Sequence, residues 1–85
     1  MRVLIPSALQ SYTGAAWVSA EGASLDALLR DLDRQFPGIR FRMVDERRRI
    51  RRHIRFFLNG EMLFDPDHPL PAGGELHIVQ ALSGG

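Results

Sequence analysis

Apolar positions along this chain recur with two periods, and turn residues stand where one period gives way to the next. Arg2 to Ile5 is a short apolar-rich run stopped by Pro6, and Ala16-Trp17-Val18-Ser19-Ala20 is a second run after the turn signal Thr13-Gly14. The two runs read as an N-terminal hairpin. Alternation of side chains places Val3, Ile5, Val18 and Ala20 on one side and Leu4 and Trp17 on the other. The period then lengthens. Leu25, Leu28, Leu29, Leu32 and Phe36 recur at helical spacing, Ser24 suits an N-cap, and Asp26 suits the positive end of a helix dipole. This predicts an amphipathic helix with one buried stripe, ended by Pro37-Gly38, where proline lacks a backbone donor and glycine tolerates a left-handed conformation.

Ile39 to Ile50 follows no single period. Phe41, Met43 and Val44 are apolar, and Asp45-Glu46-Arg47 suits the tip of a loop or an irregular hairpin. Ile54 to Leu58 reads as a central strand closed by Asn59-Gly60, a strong hairpin signal because both residues accept positive φ, and Glu61 to Phe64 reads as its return strand. Prolines at 66, 69 and 71 make Asp65 to Pro71 a connecting loop, and Ala72-Gly73-Gly74 a further turn. Leu76 to Val79 is the last strand. The order strand, strand, helix, strand, strand, strand predicts an α+β fold of the β-grasp type. In such a fold a mixed sheet of four to five strands packs on one main helix, its first and last strands parallel neighbours. The expected division is a domain over 1–80 and a flexible tail over 81–85, because Gln80 onward lacks the apolar pattern that would hold it down.

Composition narrows the chemistry. With 85 residues, one modest core is expected rather than two lobes around a deep catalytic cleft. The absence of cysteine excludes disulfides, thiolate metal sites and a cysteine nucleophile. Met1 leads straight into strand-like sequence, and no apolar run approaches the roughly 20 residues of a membrane span, so a cytoplasmic location and no membrane partner are expected.

All eleven basic residues are arginine, and six of them lie between Asp45 and Arg55 against two acids, a local excess of four positive charges in a chain of net charge +1. Such a patch can meet nucleic acid or an acidic protein. Few aromatic residues neighbour these arginines to stack on bases, so nucleic acid is disfavoured and a solvated turn is expected. Asp65, Asp67 and His68 have metal-ligating side chains, but the prolines among them fit turn chemistry better, and no metal is expected.

The chain ends Gln80-Ala81-Leu82-Ser83-Gly84-Gly85. Gly84 and Gly85 lack Cβ atoms, so a terminal carboxylate borne on them can thread a narrow channel and lie against a nucleotide. Extended at roughly 3.3 to 3.6 Å per residue, Ala81 to Gly85 reaches about 17 Å from the body.

At these residues the sequence resembles the MoaD and ThiS type of ubiquitin-like sulfur carriers, including the cysteine-forming carriers. The likeness is carried by Ile5-Pro6-Ser7-Ala8-Leu9, Gly22-Ala23-Ser24-Leu25, Phe36-Pro37-Gly38-Ile39-Arg40, Phe57-Leu58-Asn59-Gly60-Glu61 and the final Gly84-Gly85. It implies a carrier rather than an enzyme. An E1-like adenylating enzyme would use ATP and magnesium, neither bound by this chain, to activate the carboxylate of Gly85. A sulfur donor protein would convert the adenylate to a thiocarboxylate. Sulfur would then pass to an acceptor such as a molybdopterin synthase large subunit, a thiazole synthase or a cysteine synthase. Leu76, His77, Ile78, Val79 and Leu82 also match the end of ubiquitin, which keeps open a protein modifier conjugated through Gly85; an interaction module with incidental glycines is the third possibility.

Alternation gives a docking surface. If Leu76 and Ile78 face the helix, His77 and Val79 face outward, and burial of Ile54, Phe56 and Leu58 turns Arg55 and Phe57 outward with them. With Leu4 and Trp17 they form an exposed stripe of the kind that marks an interface, so Phe57, His77, Val79, Leu82 and Arg55 are the expected partner-binding residues. Leu4 and Trp17 also fit a cross-strand pair that covers itself. His77 is expected to be a surface histidine, since no Ser, Cys or paired carboxylate can be placed beside it.

Overall fold

The computed structural model describes residues 1–81. Strand β1 (Arg2–Leu4) pairs antiparallel with β2 (Trp17–Ser19) and parallel with β5 (Glu75–Gln80). On the other side of β5 runs β3 (Ile54–Leu58), antiparallel to it and to β4 (Glu61–Leu63), so the five strands stand in the order β2-β1-β5-β3-β4. This is the ubiquitin-like β-grasp, with β5 at the middle of the sheet and β3 an interior strand between β5 and β4.

One face of the sheet carries Val3, Phe56, Leu76 and Ile78, all buried, and the helix α2 (Leu25–Gln35) contributes Leu25, Leu28, Leu29 and Leu32 to the same core. The expected stripe is the observed one, except that Phe36 is the half-buried C-cap. Four amide donors at the start of α2 would be orphaned in an isolated helix. Here three of them are met, Leu25 and Asp26 donating to the carbonyls of His68 and Pro66 and Ala27 to the Ser24 hydroxyl, and the Leu28 amide then makes the first bond of the helix itself, to the Ser24 carbonyl. The proline-rich loop thus caps the helix. Gly22 lies beneath that first turn, and a Cβ on it would stand 2.3 Å from the Leu28 nitrogen. At the far end, Gly38 takes φ +98° and the Asp33 carboxylate accepts from the backbone of Gly38 and Arg40.

The strands are shorter than the apolar runs, since Ile5, Ala16, Ala20 and Phe64 fall outside them. Between β1 and β2 the chain forms a 3-10 turn (Ser7–Leu9) and the short helix α1 (Gln10–Thr13), closed by Gly14 at φ +70°. Neither had been expected, although Leu9, which it buries, and the stop at Gly14 were signals for it. The irregular stretch becomes a 3-10 turn (Arg40–Arg42) followed by a tight loop, where Val44 bridges Ile50 and Arg48 takes φ +64°. The Asp45 carboxylate closes it by accepting from the Arg47 and Arg49 amides, as its predicted place at the tip requires. Asn59 and Gly60 both have positive φ, as the β3–β4 hairpin demands.

Candidate functional site

Register alone assembles the open face of the sheet. Leu4 stands opposite both Trp17 and His77, and Phe57 stands opposite both His77 and Met62. One row therefore crosses all five strands in the order Trp17, Leu4, His77, Phe57, Met62. Beside it, Val79 pairs with Arg55. Trp17, Met62 and Val79 are exposed at 37%, 38% and 41%, with half-buried Leu4, His77 and Phe57 between the two edge strands. Met62 was missed in the sequence, although burial of Leu63 on the same strand fixes its neighbour outward.

The expected pairing of Leu4 with Trp17 is present, but Trp17 is not sealed by it. Its ring meets His77 edge-on at 5.6 Å between centroids, and the Arg2 guanidinium lies 4.2 Å above it. Glu75 holds both partners, with one oxygen 2.9 Å from Arg2 and the other 3.2 Å from His77 Nε2. His77 is thus a half-exposed member of a polar cluster that fixes Trp17 in place. Among the described residues no nucleophilic side chain hydrogen-bonds to it.

Strand β5 leads out of this face. Gln80 still pairs with Ile54, and the Ala81 amide, at the start of the expected tail, donates to the His53 carbonyl at 2.8 Å. Leu82, Gly84 and Gly85, and with them most of the expected flexible tail, lie outside the described residues. Next to the tail root, Tyr12, Arg42, His53 and Gln80 line a cleft of about 310 Å³, in which Arg42 Nε donates to the Tyr12 oxygen at 2.8 Å. That bond makes Arg42 hold its proton more tightly than an ordinary arginine.

The arginine segment is only in part a solvated turn. Arg48 pairs with Asp67 and lies 3.7 Å from Asp26, while Arg49 pairs with Asp45 at 3.1 Å. Arg51 stacks 4.6 Å over Phe41 and donates to its carbonyl. Asp65 and Asp67 serve the turn: the Asp65 side chain accepts from the Asp67 amide and the Asp65 carbonyl from the His68 amide. Among the described residues no group of three metal-ligating side chains gathers, and no helix is long and apolar enough to cross a membrane.

The ThiS family model matches residues 3–85, nearly the whole chain and both final glycines. The chain belongs to the ThiS family of ubiquitin-like sulfur carriers. Among solved structures, this ThiS-family chain is similar to that of the Amycolatopsis orientalis BexX/CysO complex, with 30% identity, TM-score 0.90, and coverage of 99% of this chain and 98% of that one. It resembles Mycobacterium tuberculosis CysO at 28% identity and TM-score 0.90, covering 95% of this chain and 98% of that one. SAMP1 from Haloferax volcanii is more distant, at 25% identity and TM-score 0.79, covering 100% of this chain and 98% of that one. No match was found among curated protein sequences.

Proposed function

We propose that this chain carries sulfur on the carboxylate of Gly85. The observation that supports it best is the extent of the family match, which runs through Gly84 and Gly85 and so takes in the tail to which β5 leads. A carboxylate is a poor electrophile. An E1-like adenylating enzyme joins it to the α-phosphorus of ATP with loss of pyrophosphate, the partner's magnesium balancing the phosphate charge. The terminal sulfur of a persulfide on the donor protein then adds at the acyl carbon as AMP departs. A thiol cleaves the resulting sulfur–sulfur bond, is itself oxidised to a disulfide, and leaves the thiocarboxylate on Gly85. This chain supplies the attachment point and the surface by which partners hold it, and it acts as substrate rather than enzyme, in the cytoplasm where these partners work.

The row through Leu4, His77 and Phe57, extended by Val79 and Arg55, is the face we assign to the activating enzyme and the acceptor, and Leu82, which lies outside the described residues, is assigned to the same partners as part of the tail. The acceptor is a molybdopterin synthase large subunit, a thiazole synthase or a cysteine synthase, and presenting the loaded carrier to each in turn distinguishes them. Removing Gly85, or extending the chain past it by a few residues, is expected to abolish pathway function in cells while leaving thermal melting unchanged. Retained function in either variant overturns the proposal.

A second reading is favoured by the likeness to SAMP1, a small archaeal modifier protein. On that reading the activated Gly85 is transferred to a lysine of another protein. A branched peptide ending in the two glycines, recovered from a digest of cellular protein, distinguishes it.

A further inference from the structure

Five arginines border a groove on the flank of the sheet, on the side of the row where Arg55 stands. It has a volume of about 540 Å³ and runs between the 48–52 arm and the segment after β4. Five arginines and no acidic residue line it, over a floor that includes Ile50, Leu63 and Phe64. Two of the five, Arg48 and Arg49, have their charge answered by Asp26, Asp67 and Asp45 and so form a fixed wall. Arg51, Arg52 and Arg55 have no carboxylate within salt-bridge distance among the described residues. Two of these are nonetheless held by the fold, Arg51 against the Phe41 ring and carbonyl and Arg55 by donating to the carbonyls of Arg52 at 2.6 Å and Ile54 at 2.9 Å, each with further guanidinium N–H groups left to an anion. Phe64, immediately beyond β4, is 80% exposed.

We propose that this groove docks an acidic segment of a partner protein, with carboxylates paired to Arg51, Arg52 and Arg55 and one apolar side chain covering Phe64. Charge complementarity selects the occupant. Clustered guanidiniums repel one another until an anion arrives, and their planar forks match carboxylates in paired hydrogen bonds. A nucleic acid would find cations here but a single aromatic ring at the groove, too little to stack successive bases. Position gives the docking its use. Ile54 pairs with Gln80, and the Ala81 amide bonds to His53, so the groove adjoins the root of the tail. A partner gripping it would hold the body while the tail occupies a distant site; this role for the partner rests on the carrier reading.

The test uses the full chain and a fluorescent synthetic peptide in which glutamate and aspartate flank one leucine. Controls are the same peptide with lysine for each acid and a labelled single-stranded oligothymidylate. Anisotropy is expected to show saturable binding of the acidic peptide, weakened by salt, with the lysine peptide silent and the oligonucleotide weaker. Arg52→Glu and Arg55→Glu should each weaken it about fivefold or more, and Phe64→Ser about threefold. Arg52 makes no side-chain hydrogen bond among the described residues, so Arg52→Glu reads binding without disturbing the loop. Equal binding of acidic and lysine peptides, no effect of Arg52→Glu, or tighter binding of the oligonucleotide would overturn the proposal. Peptide binding that survives deletion of Gly84 and Gly85 while sulfur loading is lost supports both readings. Peptide binding by a chain that never loads sulfur removes the carrier role and keeps the groove; sulfur loading without peptide binding does the reverse.

Discussion

Asp26 shows how one side chain ties together three parts of the chain. It stands in the first turn of α2, accepts from Arg30 at 2.9 Å and Arg40 at 3.3 Å, and faces Arg48 at 3.7 Å. Burial by itself pushes its pKa up, but the guanidiniums outweigh burial and hold the carboxyl below the ordinary range. Its folded pKa is therefore lower than the unfolded value of about 3.9. The resulting stabilisation is complete above that value and is lost as pH falls through the folded pKa. Asp26→Asn should lower stability near neutral pH by about 1 to 2 kcal/mol, and should flatten the acid limb of the stability curve. Urea melts of both proteins from neutral pH down into the acid range check this. An acid limb of equal steepness in the variant would show that Asp26 is not the group responsible.

At the scale of elements, the tightest fit is between α2 and the chain that leads into it. A Cβ on Gly22 would meet the backbone of Ala27 and Leu28, neither of which is free to move aside. Gly22→Ala is accordingly expected to cost about 2 to 3 kcal/mol, a fall in Tm of about 10 °C or more for a domain of this size; a melt within a degree or two of wild type would contradict it. This close approach was not legible beforehand, because it depends on what the fold brings over Gly22 rather than on its neighbours in sequence. The helix itself was legible, since Leu25, Leu28, Leu29 and Leu32 form a long run of one period with a cap at Ser24. The Asn59-Gly60 hairpin was legible for a local reason too, as both residues accept positive φ. Ser7 to Thr13 left only the signals at Leu9 and Gly14, because two such short pieces offer too few positions to establish a period. The open face could be read from alternation, given Leu76 and Ile78 inside. The role of Glu75 in holding Arg2 and His77 around Trp17 could not, because it requires the parallel register of β1 and β5. Arg48 and Asp67 likewise meet only because the fold brings the loop and the proline-rich segment together.

At the scale of the molecule, one face of the sheet is spent on the core and the other carries the row from Trp17 to Met62, with β5 as the middle strand. On the proposed reading, a partner that takes the tail meets Val79 and the row through Phe57. Val79→Asp and Phe57→Asp are each expected to weaken binding to the adenylating enzyme about tenfold or more, equivalent to roughly 1.4 kcal/mol. Calorimetric titration checks this, and unchanged affinity with the fold intact would remove the face from the interaction. The central claim is that the chemistry resides on Gly85, and the most direct measurement is the intact mass of the chain after incubation with ATP, the adenylating enzyme of the same genome and a persulfide donor. The expected mass is that of a chain with one carboxyl oxygen replaced by sulfur, the change mapping to the C-terminal peptide and absent when Gly85 is deleted. A chain that keeps its plain carboxylate under these conditions, while the enzyme consumes ATP on a known carrier, would contradict it.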